Sequence, residues 1–332
     1  MNSSLAALSR PLRIVIPGGS GQVGQVLASH FIERGHHVTI LTRGPYTAPW
    51  QTVHWDGEQI GPWTEHLEGA DVCINLAGRS VNCRYNHLNR EAIYHSRIHT
   101  TRLLNHVIAG LADPPRVWLN ASTATIYRHA LDRAMDEATG EIGGHERISP
   151  HRHAPATWNF SFQVAKDWER AFFESQTPRT RKVAMRSAIT FSPVPGNAFA
   201  IFSNLARIGL GGYQGNGRQF ISWIHESDFA RAVEFLIAHD ELNGPVNLAA
   251  PHPLPNREFM AALREAWDMP NGLPIPAPLI EVAAFFLRTE SELVLKSRRV
   301  IPTRLLDAGF TFDFPEWPQA AEDLVQQWRH RD

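Results

Sequence analysis

Short apolar runs alternate with helically spaced apolar positions along the first half of the chain. The runs predict strands at residues 13–16, 37–41, 53–55, 72–76, 116–120 and 182–186. Between them the pattern predicts helices at 23–34, 63–67 (weakly), 89–111 and 159–175, the third stopped by Asp113-Pro114-Pro115. The polar stretch 128–156 reads as a loop. Strands that alternate with helices imply a parallel sheet covered on both faces, an α/β doubly wound architecture. Beyond residue 190 the rhythm loosens and prolines gather. Helices are expected at 199–208, 226–239, 279–287 and 256–267, the last introduced by Pro255, with short strands at 220–223 and 246–248. Residues 273–278 read as an extended lead, and 291–329 as a helical tail with a turn at Gly309-Phe310. This divides the chain into a sheet domain, 12–190 with a returning segment around 219–250, and a smaller discontinuous C-terminal α/β lobe, 191–218 and 251–330.

The sharpest local signal is Pro17-Gly18-Gly19-Ser20-Gly21-Gln22-Val23-Gly24, between the first strand and the first helix. Strand, glycine turn and helix in that order form a cradle for a dinucleotide pyrophosphate. Gly18 permits the tight turn, Gly21 lets backbone approach phosphate, and Gly24 lets the helix pack close to the strand. Gly19, Ser20, Gln22 and Val23 complete the loop, whose helix-start N–H groups would meet the anion. The spacing is GxxGxxG, which gains its meaning from the flanking elements.

Composition narrows the classes. With 32 Lys plus Arg against 33 Asp plus Glu, no charge excess points to nucleic acid or an anionic membrane. Apolar residues, 43 % of the chain, suffice for a core but occur in runs too short to span a bilayer. Two cysteines, Cys73 and Cys83, exclude a disulfide framework, and Cys73 reads as a small core hydrophobe. His145, His151 and His153 lie close together without carboxylate or cysteine company, so no metal site is expected. The start of the chain carries no long apolar segment of secretory type, and a cytoplasmic enzyme acting on a small molecule fits best.

Candidate chemistry gathers at the strand ends. Arg43, closing the second strand, would accommodate a ribose 2′-phosphate, where an acidic residue would bind the 2′-hydroxyl; it favours NADP(H) as cofactor. Asp56 either accepts from an adenine amino group or serves its own loop. Leu76, Ala77 and Gly78 are small or apolar enough for backbone to approach the cofactor. Ser122, Thr123 and Tyr127 follow the fifth strand, on the side where ligands bind in open sheets.

These glycines, Asn75-Leu76-Ala77-Gly78 and Ser122-Thr123-Ala124-Thr125-Ile126-Tyr127 together resemble the extended short-chain dehydrogenase/reductase superfamily. The likeness is closer to its epimerase-like NAD(P)-binding subfamily with a short extra C-terminal domain. Residues 96–104, 211–225 and 300–310 resemble that subfamily's long helix, middle segment and C-terminal domain. The resemblance implies a Ser/Thr hydroxyl that orients the substrate and a Tyr-x-x-x-Lys pair in which the lysine also holds ribose. Thr123, with Ser122 beside it, matches the hydroxyl. The best match to the pair is Phe162 to Lys166, which replaces the acid/base tyrosine by phenylalanine. Lys166 either keeps its ribose contact or shares the spacing by coincidence. Tyr127, Lys166 and His225 are the candidates to replace the tyrosine, against the alternative that Tyr127 and His225 simply pack. Ser187 would lie near the nicotinamide, while Phe162, Gln219, Trp223 and His225 would contact substrate.

The leading expectation is an NADP(H)-dependent oxidoreductase or epimerase-like enzyme moving hydride to or from a small molecule. A non-enzymatic NADPH sensor or interaction protein, and a non-redox lyase or isomerase, are the alternatives. Arg207, Arg218 and Arg257 would serve a nucleotide-sugar substrate, or are solvated. The superfamily commonly forms homodimers through the long helix and the 159–175 helix, although no apolar stripe here demands it.

Overall fold

The computed structural model describes residues 10–331 except 46, 145, 146, 150, 151, 154 and 287; for 147–149 and 152–153 it describes the backbone alone. His145 and His151 therefore lie outside the described residues, as does the side chain of His153. Strands β1 (Arg13–Pro17), β2 (His37–Thr42), β3 (Gln51–His54), β4 (Val72–Asn75) and β5 (Val117–Thr123) alternate with α1 (Gln22–Glu33) and α2 (His87–Gly110). A small pair, β6 (Arg147–Ser149) and β7 (Arg152–His153), precedes α3 (Ala156–Phe173) and β8 (Arg181–Ser187). Then follow β9 (Ile189–Phe191), α4 (Ala198–Arg207), β10 (Phe220–Ile221), β11 (Trp223–His225), α5 (Glu226–Ala238) and β12 (Gly244–Leu248). The chain ends through β13 (Leu254–Pro255), α6 (Asn256–Ala266), α7 (Ala277–Phe286), α8 (Glu292–Leu295), α9 (Thr303–Asp307) and α10 (Trp317–Arg329).

Seven strands form one parallel sheet in the order β12-β8-β5-β4-β1-β2-β3. Successive residues of β1 face opposite sides, as strand geometry requires. Ile14 and Ile16 pack with Leu27 and Phe31 of α1 and Phe229 and Val233 of α5. Val15 faces the other layer with Leu104 and Ile108 of α2 and Phe172 of α3. The sheet is thus doubly wound, its central strands buried on both faces. A smaller lobe has its own aromatic core of Phe191, Phe199, Phe259, Trp223 and Trp317, where Phe259 stacks on Trp317 at 4.1 Å.

Three boundaries differ instructively from the expected ones. Strand β5 runs on through Ala121, Ser122 and Thr123 because β8 continues alongside to Arg186 and Ser187. Helix α3 starts at Ala156, three residues early, with Pro155 supplying a preset φ of −55° ahead of the first turn. The expected strand at 220–223 splits at Ser222, whose hydroxyl donates to Arg298 O (2.7 Å) and accepts from Val300 N (2.8 Å). That clasp pulls residues 296–302 into an extended run between α8 and α9, where a helical tail was expected.

Candidate active site

The β1–α1 turn has the geometry the glycines suggested. Gly18 sits at φ +74°, and a Cβ there would lie 2.6 Å from Ala77 Cα, so the β4 end packs directly on the turn. A Cβ on Gly24 would collide with the Gly19 carbonyl. Gly21 caps α1 without a side-chain hydrogen bond, which leaves the helix-start N–H groups available to an anion. Asn75 holds the β4 end in shape: its Oδ1 accepts from Ala77 N (3.0 Å) and its Nδ2 donates to Asn120 (2.7 Å).

Two cavities meet at Gly78. One, of about 690 Å³, runs from Gly18, Ser20 and Gly21 past Arg43 and Asp56 to Ala77. Arg43 is exposed at its mouth. Asp56 Oδ1 accepts from the N–H groups of Glu58 (2.8 Å) and Gln59 (3.2 Å), which hold its carboxyl below the usual range. Asp56 thus serves its loop and also borders the cavity. At the same rim Glu58 lies 3.6 Å from His95 and 3.4 Å from His99, whose rings stack.

The second cavity, of about 430 Å³, lies over the carboxyl ends of β5 and β8. Val23, Leu76, Ser122, Thr123 and Ser187 all line it. Ser122 donates to Glu169 Oε1 at 2.6 Å, so its hydroxyl is engaged away from a ligand. Thr123 Oγ1 accepts from Thr125 N (3.1 Å), which leaves its own proton free to donate.

Other expected site residues lie elsewhere. On α3 the cavity-lining stripe is Phe160, Ser161, Val164, Ala165 and Trp168. One step along a helix turns a side chain by about 100°, and Phe162 and Lys166 sit one position off this stripe. Phe162 is buried against Trp158 and the Lys296 ammonium, 3.5 Å from its ring centre, while Lys166 is half-buried and lines neither cavity. The cavity-facing pair at Tyr-x-x-x-Lys spacing is therefore Ser161 and Ala165.

Tyr127 is buried in the core beneath the site, donating to Asn247 Oδ1 (2.9 Å) and accepting from Arg186 (2.9 Å). Burial raises its pKa, and it packs where an acid was conceivable. Gln219 is buried and donates to Gln214 O (2.8 Å), closing the loop that leads into β10. Trp223 is buried in the lobe core against Trp317. His225 caps α5, accepting from Ser227 N (3.1 Å) and meeting Asp323 at 3.0 Å, and burial lowers its pKa. None of these four lines the cavity at β5 and β8. Arg207, Arg218 and Arg257 are exposed and lie outside it as well.

In their place the cavity wall carries Tyr85, Arg97, Thr125, Ser161, Glu292 and Arg298. Arg97 donates to Arg79 O (2.9 Å) and lies over the Trp168 ring; burial lowers its pKa to about 10. Its position one turn after the buried Ile93 was a readable signal. Glu292 and Arg298 had none, because charges in a C-terminal segment read as solvated.

The comparisons agree with this architecture. The NAD dependent epimerase/dehydratase family matches residues 14–249, and a domain of unknown function (DUF1731) matches 275–324. The human epimerase family protein SDR39U1 is 29 % identical over 321 residues, covering 95 % of this chain and all of the relative. An epimerase family protein of Mycobacterium bovis is 32 % identical over 304 residues, covering 90 % of this chain and 93 % of the relative. A crystal structure of human SDR39U1 (isoform 2) with NADPH superposes with a TM-score of 0.81 at 28 % identity, covering 95 % and 99 % of the two chains. Among the described residues no helix is long and apolar enough to cross a membrane. With its glycine turn, doubly wound sheet and C-terminal lobe, the chain belongs to the NAD dependent epimerase/dehydratase family.

Proposed function

We propose that this protein is an NADP(H)-dependent oxidoreductase of a small molecule. The observation that carries this reading is the pair of cavities that share Gly78 in their walls, one lined by the phosphate cradle and the other by strand-end hydroxyls. The cradle fits a dinucleotide, since Gly18 and Gly24 each occupy a place that a Cβ would fill and α1 opens uncapped. Gly18–Gly24 would hold the pyrophosphate, Arg43 the 2′-phosphate, and Ser187 would border the nicotinamide. The human relative solved with NADPH supports the same choice. When bound, the cofactor supplies the hydride chemistry. The protein's part is to seat the substrate over Thr123, whose free O–H polarises a substrate oxygen, and to exclude water with Ile93, Val164 and Leu293. The inner cavity must hold the nicotinamide end together with the substrate, so its 430 Å³ favours a small substrate over a nucleotide sugar.

NADPH binding followed by fluorescence, and NADPH consumption followed by absorbance against aldehydes, ketones, enones and imines, test this reading. Tight binding with turnover, weakened by Thr123→Val, is expected. Tight binding with no turnover on any class would replace the enzyme by a cofactor sensor.

A further inference from the structure

The cavity-facing turn of α3 presents Ser161 where a tyrosine would be expected, so the proton that accompanies hydride transfer needs another source. Ser161 is half-buried in the cavity wall, and its Oγ lies 2.8 Å from Glu292 Oε2. Glu292 is 1 % exposed, and among the described residues its Oε1 has no hydrogen-bond partner. The Arg298 guanidinium stands 3.8 Å from that oxygen, a distance beyond a hydrogen bond. Arg298 instead donates through Nε to Thr125 Oγ1 at 3.2 Å. A carboxylate this buried and this loosely paired is costly, whereas a neutral carboxyl satisfied by Ser161 is not.

We propose that Ser161 and Glu292 form the proton-delivery couple of the cavity, Ser161 donating to substrate and Glu292 resupplying Ser161. The proposal rests on the oxidoreductase reading. With Glu292 neutral, its O–H donates to Ser161 Oγ, which frees the serine O–H to point at a ligand. As hydride from reduced nicotinamide forms a C–H bond at one substrate atom, the Ser161 proton passes to the neighbouring oxygen, nitrogen or carbon. The Glu292 proton moves to Ser161 Oγ in the same event. The C–H bond of the dihydronicotinamide and the two O–H bonds break, and Glu292 is left as a carboxylate that Arg298 steadies until solvent returns a proton.

The surroundings agree. Burial pushes the Glu292 carboxyl towards its neutral form and Glu290 adds to this, while Arg298, Lys296 and the Ser161 hydrogen bond pull the other way. Tyr85, which also faces Ser161, is pushed up to about 12 by burial; Ser161 is distinguished from it by the Glu292 carboxyl at 2.8 Å, whose proton replaces the serine's own as it leaves. Ser161 touches the ligand and is the catalytic residue of the couple; Glu292 acts through it. Because Glu292 lies in the C-terminal segment matched as DUF1731, that segment would complete the chemistry as well as cover the site.

Difference infrared spectroscopy of the whole protein at neutral pH tests the couple without a substrate. Wild type minus Glu292→Gln is expected to show a protonated carboxyl band that shifts in D2O and moves to higher frequency in Ser161→Ala. No such band would overturn the proposal. A second arm follows NADPH oxidation with benzaldehyde, cyclohexenone and phenanthrenequinone, with NADPH affinity and thermal melting checked for every variant. Ser161→Ala and Glu292→Gln should each lower kcat about 100-fold or more, the double variant no further, with NADPH affinity unchanged. Glu292→Gln should also flatten the alkaline limb of the kcat–pH profile. Full kcat in Ser161→Ala, or the loss appearing in Tyr85→Phe instead, would overturn it. An infrared band without turnover on any acceptor would count against the oxidoreductase reading and leave the neutral Glu292 established.

Discussion

The cavity over the ends of β5 and β8 rests on a buried ion pair, and removing one partner gives a measurable effect. Arg186 on β8 meets Glu169 on α3 through both ends of its fork, Nε to Oε1 at 2.8 Å and NH2 to Oε2 at 2.7 Å. Both residues are buried, and the pair also anchors Ser122 through Glu169 and Tyr127 through Arg186. Glu169→Leu leaves the guanidinium buried without its counter-charge, a loss of about 3–5 kcal/mol. The stranded Ser122 hydroxyl adds about 1 kcal/mol. Against a total stability of about 5–15 kcal/mol, this is a large fraction. The double variant Glu169→Leu/Arg186→Met removes both charges, and most of the loss should return, to within about 2 kcal/mol of wild type. Urea unfolding followed by tryptophan fluorescence and far-UV circular dichroism measures wild type, Glu169→Leu, Arg186→Met and the double variant. A single-variant loss under about 1 kcal/mol, or a double variant as unstable as the two singles added, would refute the reasoning.

Other expectations follow from the same geometry. Arg43→Ser should weaken NADPH binding about 10–100-fold, leave NADH binding unchanged and reduce the salt dependence of NADPH affinity, since a charge pair at contact near the surface is worth about 1–4 kcal/mol; equal losses for both cofactors would remove Arg43 from the 2′-phosphate site. Gly24→Ala drives a methyl into the Gly19 carbonyl and should lower NADPH affinity at least about tenfold, read by fluorescence titration. Tyr127→Phe should destabilise the protein by about 1–3 kcal/mol while the folded enzyme keeps its kcat, because the hydroxyl bridges Arg186 and Asn247 outside the cavity. Burial holds the His129 pKa down to about 4 against about 6.5 unfolded, with Lys296 and Arg128 contributing. The unfolded chain therefore binds more protons, and stability should fall as pH drops from about 6.5 towards 4; His129→Gln should shrink that loss in urea midpoints measured across the window.

What was legible followed from local physics. Ile14-Val15-Ile16 reads as a strand buried on both faces because every position is apolar, and Gly18 reads as a turn because no other residue tolerates both its φ and Ala77 at its back. Thr123 and Ser187 were readable for a related reason. They end strands of a parallel sheet, and the carboxyl ends of such strands open onto the ligand crevice. Helix boundaries drifted where side chains make the cap: Asn86 accepts from Asn89 N at 2.9 Å and starts α2 two residues before the apolar pattern does.

The misplaced residues share a different cause. Phe162 and Lys166 carry the right spacing, but spacing is unchanged when a whole helix face rotates, and only packing against Trp158 and Lys296 selects the face. Tyr127, Trp223 and His225 are rich in chemistry and close in sequence to the site, yet each is buried in hydrogen bonds or rings of its own. The cavity wall is assembled from Tyr85, Ser161, Glu292 and Arg298, four positions drawn from three distant stretches of chain. No periodicity couples them. What joins them is the extended run after α8, clasped by Ser222 at Arg298 and Val300, which turns an outwardly ordinary charged tail inward. Loosening that clasp with Ser222→Ala should therefore disturb the chamber at Glu292 and Arg298 while the glycine cradle, held by β1 and β4, continues to bind NADPH.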